Sequence, residues 1–133
     1  PIDNLTLWYS LGVGTPASGI AGEIRATNDV TAYYSSDKRL KKDIENIENP
    51  LEKVMKIGGY NFNWIPVEGV HSHTGADIGV IAQEIESILP EIVTTRDNGY
   101  KAVQYEKLVA LLIEAIKEQQ LQIEKLNKRI DNL

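Results

Sequence analysis

The last quarter of the chain carries the most regular pattern of apolar positions. From Val109 onward, one helical stripe recurs at alternating intervals of three and four residues, and every member but Gln119 is apolar. This spacing predicts a long helix over residues 105–133 with a narrow apolar seam, which a lone helix cannot bury. We therefore expect a coiled coil that joins several copies of the chain. The seam residues are Val109, Leu112, Ile116, Gln119, Ile123, Leu126 and Ile130.

The seam pattern leaves the number of helices open. Branched residues at one seam position with leucine at the other favour two helices in a parallel coil. A single polar residue inside a seam can specify register and oligomeric state. We therefore expect Gln119 to align the chains within the core.

Two helices are predicted before the glycine pair at 58–59. Leu40, Ile44 and Ile47 recur at helical spacing, which indicates the first helix. Residues 49–52 combine a capping asparagine, a first-turn proline and a glutamate, which is typical of the start of the second.

The central region combines strand, loop and helix patterns. Aromatic and polar residues alternate over 60–64, which predicts a half-buried strand. Residues 66–77 hold proline, glycine, serine and histidine and predict a surface loop. The remaining predicted elements are a short strand at 78–81, a helix at 82–89 ended by Pro90, and hairpin strands at 91–95 and 100–103 around the Asp97-Asn98-Gly99 turn.

The N-terminal quarter differs in composition from the rest. Glycines punctuate short alternating runs in residues 1–35, which predicts short strands and turns. The whole pattern predicts an α+β fold in three parts: a β-rich segment at 1–35, a mixed helix and strand body at 36–104, and the helix at 105–133.

Composition excludes several functional classes. The 133 residues suit one compact domain or a smaller one with an elongated element, and the net charge of −5 disfavours a nucleic-acid-binding role. No apolar run approaches the length of a membrane span, and the absence of cysteine excludes disulfides and thiolate metal sites. Because the chain begins at Pro1 rather than methionine, we expect a piece of a longer or processed protein.

The segment from Ser36 to Lys41 holds the candidate chemistry. A serine hydroxyl needs a base to become a nucleophile, and lysine can serve once burial lowers its pKa from about 10.4 toward 7–8. On a regular helix these two side chains would not face each other, so a dyad needs a turn between them or a neighbouring chain. Without further support, Ser36 is more typical of a helix cap than of a nucleophile.

Three separated segments together resemble a known family. They are residues 36–41, residues 78–86 and residues 103–108, and a long helix follows them. In order and spacing they resemble the C-terminal intramolecular chaperone of phage tail spikes and tail fibres (the endosialidase type), which cuts itself from its parent fibre through a Ser-Lys dyad. A related domain occurs in some membrane-bound transcription factors. The resemblance covers roughly residues 30–133.

The resemblance implies roles for individual residues and for the assembly. Ser36 matches the nucleophile and Lys41 the base, while Asp37, Arg39 and Leu40 match the supporting motif. It also implies three chains rather than two. The expected partners are two further copies of the chain and the β-stem of its own parent fibre, with no nucleic acid, membrane or cofactor.

The position of the cut is less constrained than the dyad. The resemblance implies the bond between Ser36 and Asp37, although attack of Ser36 on its own carbonyl would close a strained four-membered ring. An N-to-O acyl shift would instead sever the bond between Ser35 and Ser36 through a five-membered ring. Both positions stay open, with the first favoured.

Two other groups of residues are candidates for a metal site or for catalysis. His71, His73 and Asp77 could seat a metal, but two histidines in a flexible loop are more typical of solvent exposure, so no metal is expected. Glu84 and Glu86 suggest a paired-carboxylate glycosidase, yet their alternation with apolar residues is more typical of a solvated face or a subunit contact.

The expected function is therefore a chaperone that assembles a trimeric fibre and then releases itself as a single-turnover serine endopeptidase. It would form part of a tail-fibre precursor made in the host cytoplasm. The alternative is a permanent, uncleaved trimeric fibre tip with a structural, receptor-binding or glycan-binding role.

Overall fold

The computed structural model describes residues 5–133, so the first four residues of the predicted stem segment 1–35 lie outside it. Short strands and helices precede one long C-terminal helix, which confirms the α+β fold. The helices are α1 (Pro50–Met55), α2 (Ala82–Glu86) and α3 (Leu108–Asp131). The strands are β1 (Leu11–Val13), β2 (Ile24–Ala26), β3 (Tyr60–Trp64), β4 (Gly75–Gly79), β5 (Val93–Thr95) and β6 (Lys101–Val103).

The strands pair two by two. β1 and β2 are parallel, β3 pairs with β4, and β5 and β6 are antiparallel with Val93 opposite Val103. The amide of Gly99 donates to the Arg96 carbonyl at 2.8 Å in the turn between β5 and β6. The predicted hairpin and the predicted β3 strand are both confirmed.

The helix predicted from Leu40, Ile44 and Ile47 is wrong. The structure has only a 3-10 turn at Lys38–Leu40, followed by irregular chain up to α1. Asp43 and Asn49 have positive φ angles of 52° and 49°, which a right-handed helix does not accommodate. The apolar spacing in this region therefore does not mark a helical face.

Two other predicted boundaries shift. The loop predicted at 66–77 gives way to strand β4 from Gly75, and the strand predicted at 78–81 is the end of that same strand. The helix predicted at 82–89 is regular only over Ala82–Glu86. Pro90 lies in the following 3-10 turn, Pro90–Ile92, as expected for a residue that ends a helix.

Among the described residues, the first compact unit comprises 5–42 and 63–76. Within it, the Arg25 side chain joins two segments that are distant in sequence: Nε lies 2.6 Å from Glu23 Oε1 and Nη2 lies 2.6 Å from Ser72 Oγ. The Trp64 ring lies 5.0 Å from the His71 ring and 5.1 Å from the His73 ring, between centroids. The Arg25–Ser72 hydrogen bond thus joins this unit's two segments, while the ring contacts lie within residues 63–76.

The second compact unit comprises residues 43–62 and 77–133 and contains the apolar core. Among the described residues, the buried apolar side chains are Ile85, Ile92, Leu111 and Ala115. Ile85 comes from α2 and Leu111 and Ala115 from α3, so the first two turns of α3 form one wall of this core. The remainder of α3 extends beyond it.

The start of α1 is held by a residue far away in sequence. Pro50 stands in the first turn as predicted, but the Asn49 side chain makes no capping hydrogen bond. The Leu51 amide instead donates to Glu118 Oε2 of α3 at 3.1 Å. A carboxylate satisfies a free amide at a helix N-terminus and interacts favourably with the helix dipole. Glu118 therefore fixes α1 against α3.

Helix α3 exposes the predicted seam. Val109 is 55% exposed and Ile116 is 65% exposed, and the more distal seam residues are exposed as well. Tyr105, which the same repeat would include, lies in a 3-10 turn before α3, and its hydroxyl accepts from the Val80 amide at 3.2 Å. The apolar stripe of the regular helix thus begins at Val109. No helix within residues 5–133 has the length and apolar character needed to cross a membrane.

Candidate functional site

A short turn brings the Ser36 hydroxyl and the Lys41 amine together. The amides of Leu40 and Lys41 donate to the carbonyls of Asp37 and Lys38, each at 3.1 Å, which closes the 3-10 turn. The backbone then becomes extended at Lys41. Lys41 Nζ donates to Ser36 Oγ at 2.9 Å. The turn therefore gives the two side chains a mutual distance that a regular helix would not.

Hydrogen bonds between Asp37 and Arg39 stabilise this turn. Asp37 Oδ1 accepts from the Arg39 amide at 2.8 Å, which caps the turn, and from Arg39 Nε at 3.1 Å. Asp37 Oδ2 accepts from Arg39 Nη2 at 2.9 Å, so carboxylate and guanidinium form a two-pronged pair. The hydrogen bonds from Arg39 hold the pKa of Asp37 below its usual value and raise the pKa of Arg39. Two of the three residues of the expected supporting motif, Asp37 and Arg39, thus act on the turn itself.

The whole turn is open to solvent in a single chain. Ser36 and Lys41 are exposed, and Leu40 keeps 73% of its surface exposed. The two tyrosines before the turn are also exposed, Tyr33 to 94%. An apolar side chain next to the hydroxyl–amine pair is therefore available for contact with another surface.

The expected association residues share one stripe of α3. All seven lie between Val109 and Ile130, and Gln119 is exposed like its apolar neighbours. The side chains of Leu112, Ile123 and Leu126 are between 46% and 55% exposed. The structure therefore presents an apolar face along about six turns of helix, interrupted by Gln119.

Glu84 has a role that its sequence context did not indicate. Its carboxylate accepts from the Gly58 amide at 2.9 Å and from the Tyr60 hydroxyl at 2.7 Å. The hydrogen bond from the Gly58 amide, followed in size by that from the Tyr60 hydroxyl, lowers the pKa of Glu84. The hydrogen bond between Tyr60 and Glu84 also raises the pKa of Tyr60. Glu84 therefore joins α2 to the turn between α1 and β3. No local pattern reveals a contact across 26 residues.

The remaining candidate groups have structural partners. Lys101 Nζ donates to Glu86 Oε1 at 2.7 Å, so this carboxylate joins α2 to β6. His71 Nδ1 accepts from the His73 amide at 3.1 Å, and the two imidazole rings stack 5.3 Å apart. Across residues 5–133, no three His, Cys, Asp or Glu side chains are grouped as metal ligands would be.

Comparison with known families identifies the region that begins at this turn. Residues 36–94 match a peptidase family described as the chaperone of endosialidase. The match starts at Ser36, which bears the hydroxyl next to Lys41. This chain carries a domain of that family. The resemblance to the chaperones of phage tail fibres is thereby confirmed, and so is membership of a peptidase class.

Curated relatives connect the chain to tail fibres. It is 36% identical over 107 residues to the long tail fiber protein Gp37 of Salmonella phage S16, covering 74% of this chain and 14% of that protein. It is 30% identical over 110 residues to Gp37 of Enterobacteria phage K3, covering 77% of this chain and 8% of that protein. The chain thus spans a small fraction of these fibre proteins.

A relative from outside the phages has a similar match. The chain is 33% identical over 130 residues to the myelin gene regulatory factor-like A protein of Dictyostelium discoideum. The alignment covers 88% of this chain and 13% of that protein. The domain is therefore shared by proteins with very different names.

Proposed function

We propose that this domain trimerises and folds the β-stem of a phage tail fibre and then releases itself by cutting its own chain. Residues 1–35 would be the end of the stem, 36–104 the chaperone body and 105–133 the coiled-coil helix. The family match and the tail-fibre relatives support the chaperone role. The observation that carries the self-cleavage is the 2.9 Å hydrogen bond between Lys41 Nζ and Ser36 Oγ.

The exposed seam of α3 supports the assembly step. Three helices packed through this face would remove apolar surface from water. Each Å² of apolar surface so buried stabilises an assembly by about 25 cal/mol. Local helical contacts form faster than long-range strand pairing, so the helices would meet before the stem folds. The bodies would then hold the three stem strands in register, with Gln119 aligning the coil.

In the proposed cleavage, Ser36 acts as nucleophile and Lys41 as base. Ser36 Oγ bonds to the carbonyl carbon of the scissile peptide while Lys41 takes the hydroxyl proton. The C–N bond breaks, Lys41 passes the proton to the leaving amine, and water hydrolyses the resulting ester. Cleavage after Ser36 avoids a four-membered ring if Ser36 of one chain attacks the Ser36 carbonyl of another. The acyl shift that severs the bond before Ser36 remains the alternative.

The solvent-exposed site supplies a reason for cleavage to follow assembly. Lysine in water is protonated at neutral pH, and a base must be neutral. In this structure the amine donates to Ser36, and the side chains of Leu40 in the turn and of Tyr33 before it are exposed. Contact with the stem or a neighbouring chain would desolvate the amine and favour its neutral form. Cleavage would make the assembly irreversible and trap the fibre kinetically.

Intact-mass measurement of the assembled chain tests this proposal. Two fragments that sum to the 14.8 kDa chain plus one water are expected, and their masses distinguish the two candidate bonds. Ser36→Ala should abolish the fragments, and Lys41→Ala should slow their appearance by at least about 10²-fold, the usual scale of general-base catalysis. Lys42→Ala is the matched control, because it removes the adjacent lysine and should leave the rate unchanged. Equal cleavage in all of these variants would contradict the dyad.

The same measurement separates the alternative function. A permanent fibre tip would remain one intact chain in every assembled preparation. The cluster of Trp64, His71 and His73 rings is the feature that favours a receptor- or glycan-binding role for such a tip. A tip of this kind would bind its receptor equally well with Ser36→Ala.

A further inference from the structure

A shallow apolar groove lies beside the first turns of α3. It lies within the second compact unit and is formed by the end of α1, the turn after α1, the residue that follows β4, and α3. Its side-chain lining is Val54, Ile57, Val80, Leu108, Leu111 and Leu112, and its volume is about 230 Å³. The backbone of Gly58 and Gly59 forms its floor. A groove with this lining offers dispersion contacts and few polar partners.

One exposed side chain of the same helix is apolar, like the lining of the groove. Ile113 keeps 51% of its surface exposed, although it does not belong to the seam stripe. It lies on the flank of the seam next to Val109, whereas Leu108 and the groove lie on the other flank. One flank of α3 is thus an apolar projection and the opposite flank an apolar depression.

Heptad geometry brings these two flanks together between neighbouring chains. With Val109 and Leu112 at the a and d positions, Leu108 falls at g and Ile113 at the following e. In a parallel coil the g position of one helix lies beside the next e position of its neighbour. Leu108 of one chain and Ile113 of the next are therefore brought together at the level of the groove.

This arrangement is specific to the start of the helix. The later flanking positions are polar, as at Gln120 and Gln122, and are exposed to solvent. The position that follows Leu108 on the same flank is Ala115, which its own body buries. The apolar pair thus occurs only where α3 is also packed against a globular body.

We propose that the groove of each chain receives Ile113 of a second copy of this chain. The proposal rests on the proposed assembly through α3 and names a contact that the seam alone does not require. A cavity of about 150 Å³ can hold a benzene ring, so a groove of about 230 Å³ accommodates the four-carbon isoleucine side chain. The contact would bury an exposed isoleucine and close the groove in one step.

The contact would join assembly of the helices to the state of the body. Gly58 forms part of the groove floor, and its amide is held by Glu84 of α2. A neighbour's Ile113 in the groove would therefore pack against the turn that α2 holds. The contact would form only when the coil is in register, because a shifted helix would place a polar flanking residue at the groove instead of Ile113.

Disulfide trapping in the full chain tests the contact directly. The chain contains no cysteine, so the double variant Leu108→Cys/Ile113→Cys carries the only two thiols. On one helix these positions are rotated about 140° apart, which places their Cα atoms beyond disulfide reach. Mild oxidation should link chain to chain, giving a covalent trimer on a denaturing gel. Each single variant is the matched control and should stay unlinked.

A seam variant separates this proposal from the assembly itself. Leu126→Cys should give linked dimers wherever the coil is parallel and in register. Linkage in Leu126→Cys without linkage in the double variant overturns the groove contact and leaves the coil standing. No linkage in either, together with a monomeric native mass, overturns both. An oligomer in which Leu126→Cys stays unlinked is antiparallel or out of register, which also overturns the contact.

A variant without thiols gives an independent measurement. Ile113→Ser should weaken self-association about ten- to hundredfold in sedimentation equilibrium, because it removes an apolar side chain that the contact buries. Leu121→Ser is the control, since Leu121 is 58% exposed on the face opposite the seam, and should leave association unchanged. Equal association constants for the two variants would contradict the proposal.

Discussion

Leu111 is the side chain whose truncation should most directly measure what holds α3 to the body. It is fully buried, and it contributes both to the core and to the apolar groove. Leu111→Ala removes three carbon groups, which amounts to about 2.4 kcal/mol at about 0.8 kcal/mol each. Closed cavities raise the cost of such substitutions to as much as about 5 kcal/mol. Because the vacated space opens onto the groove, we expect a loss of about 2.5 kcal/mol in the single chain.

Urea unfolding followed by far-ultraviolet circular dichroism measures this loss. The midpoint should fall with the slope unchanged, since the area exposed on unfolding is nearly the same. Total chain concentration must be equal in all samples, because self-association adds to apparent stability. A loss of this size is a large part of the 5–15 kcal/mol that is typical of a domain.

Leu121→Ala is the matched control for this measurement. It makes the same chemical change on the same helix, but at a side chain that is 58% exposed. Its effect should stay within about 0.5 kcal/mol, as for most surface substitutions. Equal effects of the two variants, or a loss below about 1 kcal/mol for Leu111→Ala, would refute the packing of α3 described here.

Three further predictions address contacts outside this core. Glu84 has a lowered pKa in the folded chain, so its contribution to stability is present above the ordinary carboxyl pKa and is lost as the pH falls through the lowered value. Thermal unfolding across this acid range should show that dependence, and Glu84→Gln should reduce it. Gly79→Ala should destabilise the fold in the same melting assay, since a Cβ there would lie 2.5 Å from the Tyr105 hydroxyl oxygen; a wild-type melting temperature would contradict that contact. Glu118→Ala should speed hydrogen exchange at the Leu51 amide, and an unchanged rate would show that Glu118 does not cap α1.

The elements that the sequence predicts correctly are those fixed by local signals. The β5–β6 turn needs a residue with positive φ, and Gly99 adopts a φ of 84°. Pro50 starts α1, and the repeat along α3 extends over enough turns to be unambiguous. These signals act over a few residues, so no knowledge of the fold is needed.

Two of the predictions that failed depend on contacts between distant segments, whereas the helix predicted before α1 fails for a local reason, the positive φ angle of Asp43. Asn49 seemed a sufficient cap for α1, but Glu118 instead accepts from the Leu51 amide, 67 residues before it. Glu84 looked like a solvated carboxylate because its partners, the Gly58 amide and the Tyr60 hydroxyl, belong to another element. Such contacts follow from the packing of α2 and α3 on α1 and are invisible to periodicity.

The candidate dyad could be predicted from the sequence only in part. Its residue types and the neighbouring motif are readable in the sequence, but helical spacing would keep Ser36 and Lys41 apart. The Asp37 side chain binds the amide of Arg39, two residues on, which favours a tight turn over a helix. That local hydrogen bond belongs to the tight turn in which the hydroxyl and the amine are in contact.

The small core has a consequence for how the protein responds to its own abundance. The described residues bury only four apolar side chains, while the long helix leaves its stripe in water. If copies associate through this stripe as proposed, association would add to the stability of the small core, and that stability would grow with concentration. For three chains, halving the free concentration would lower the assembled population about eightfold. If the chain assembles as proposed, its most stable form would predominate only where enough newly made copies accumulate together.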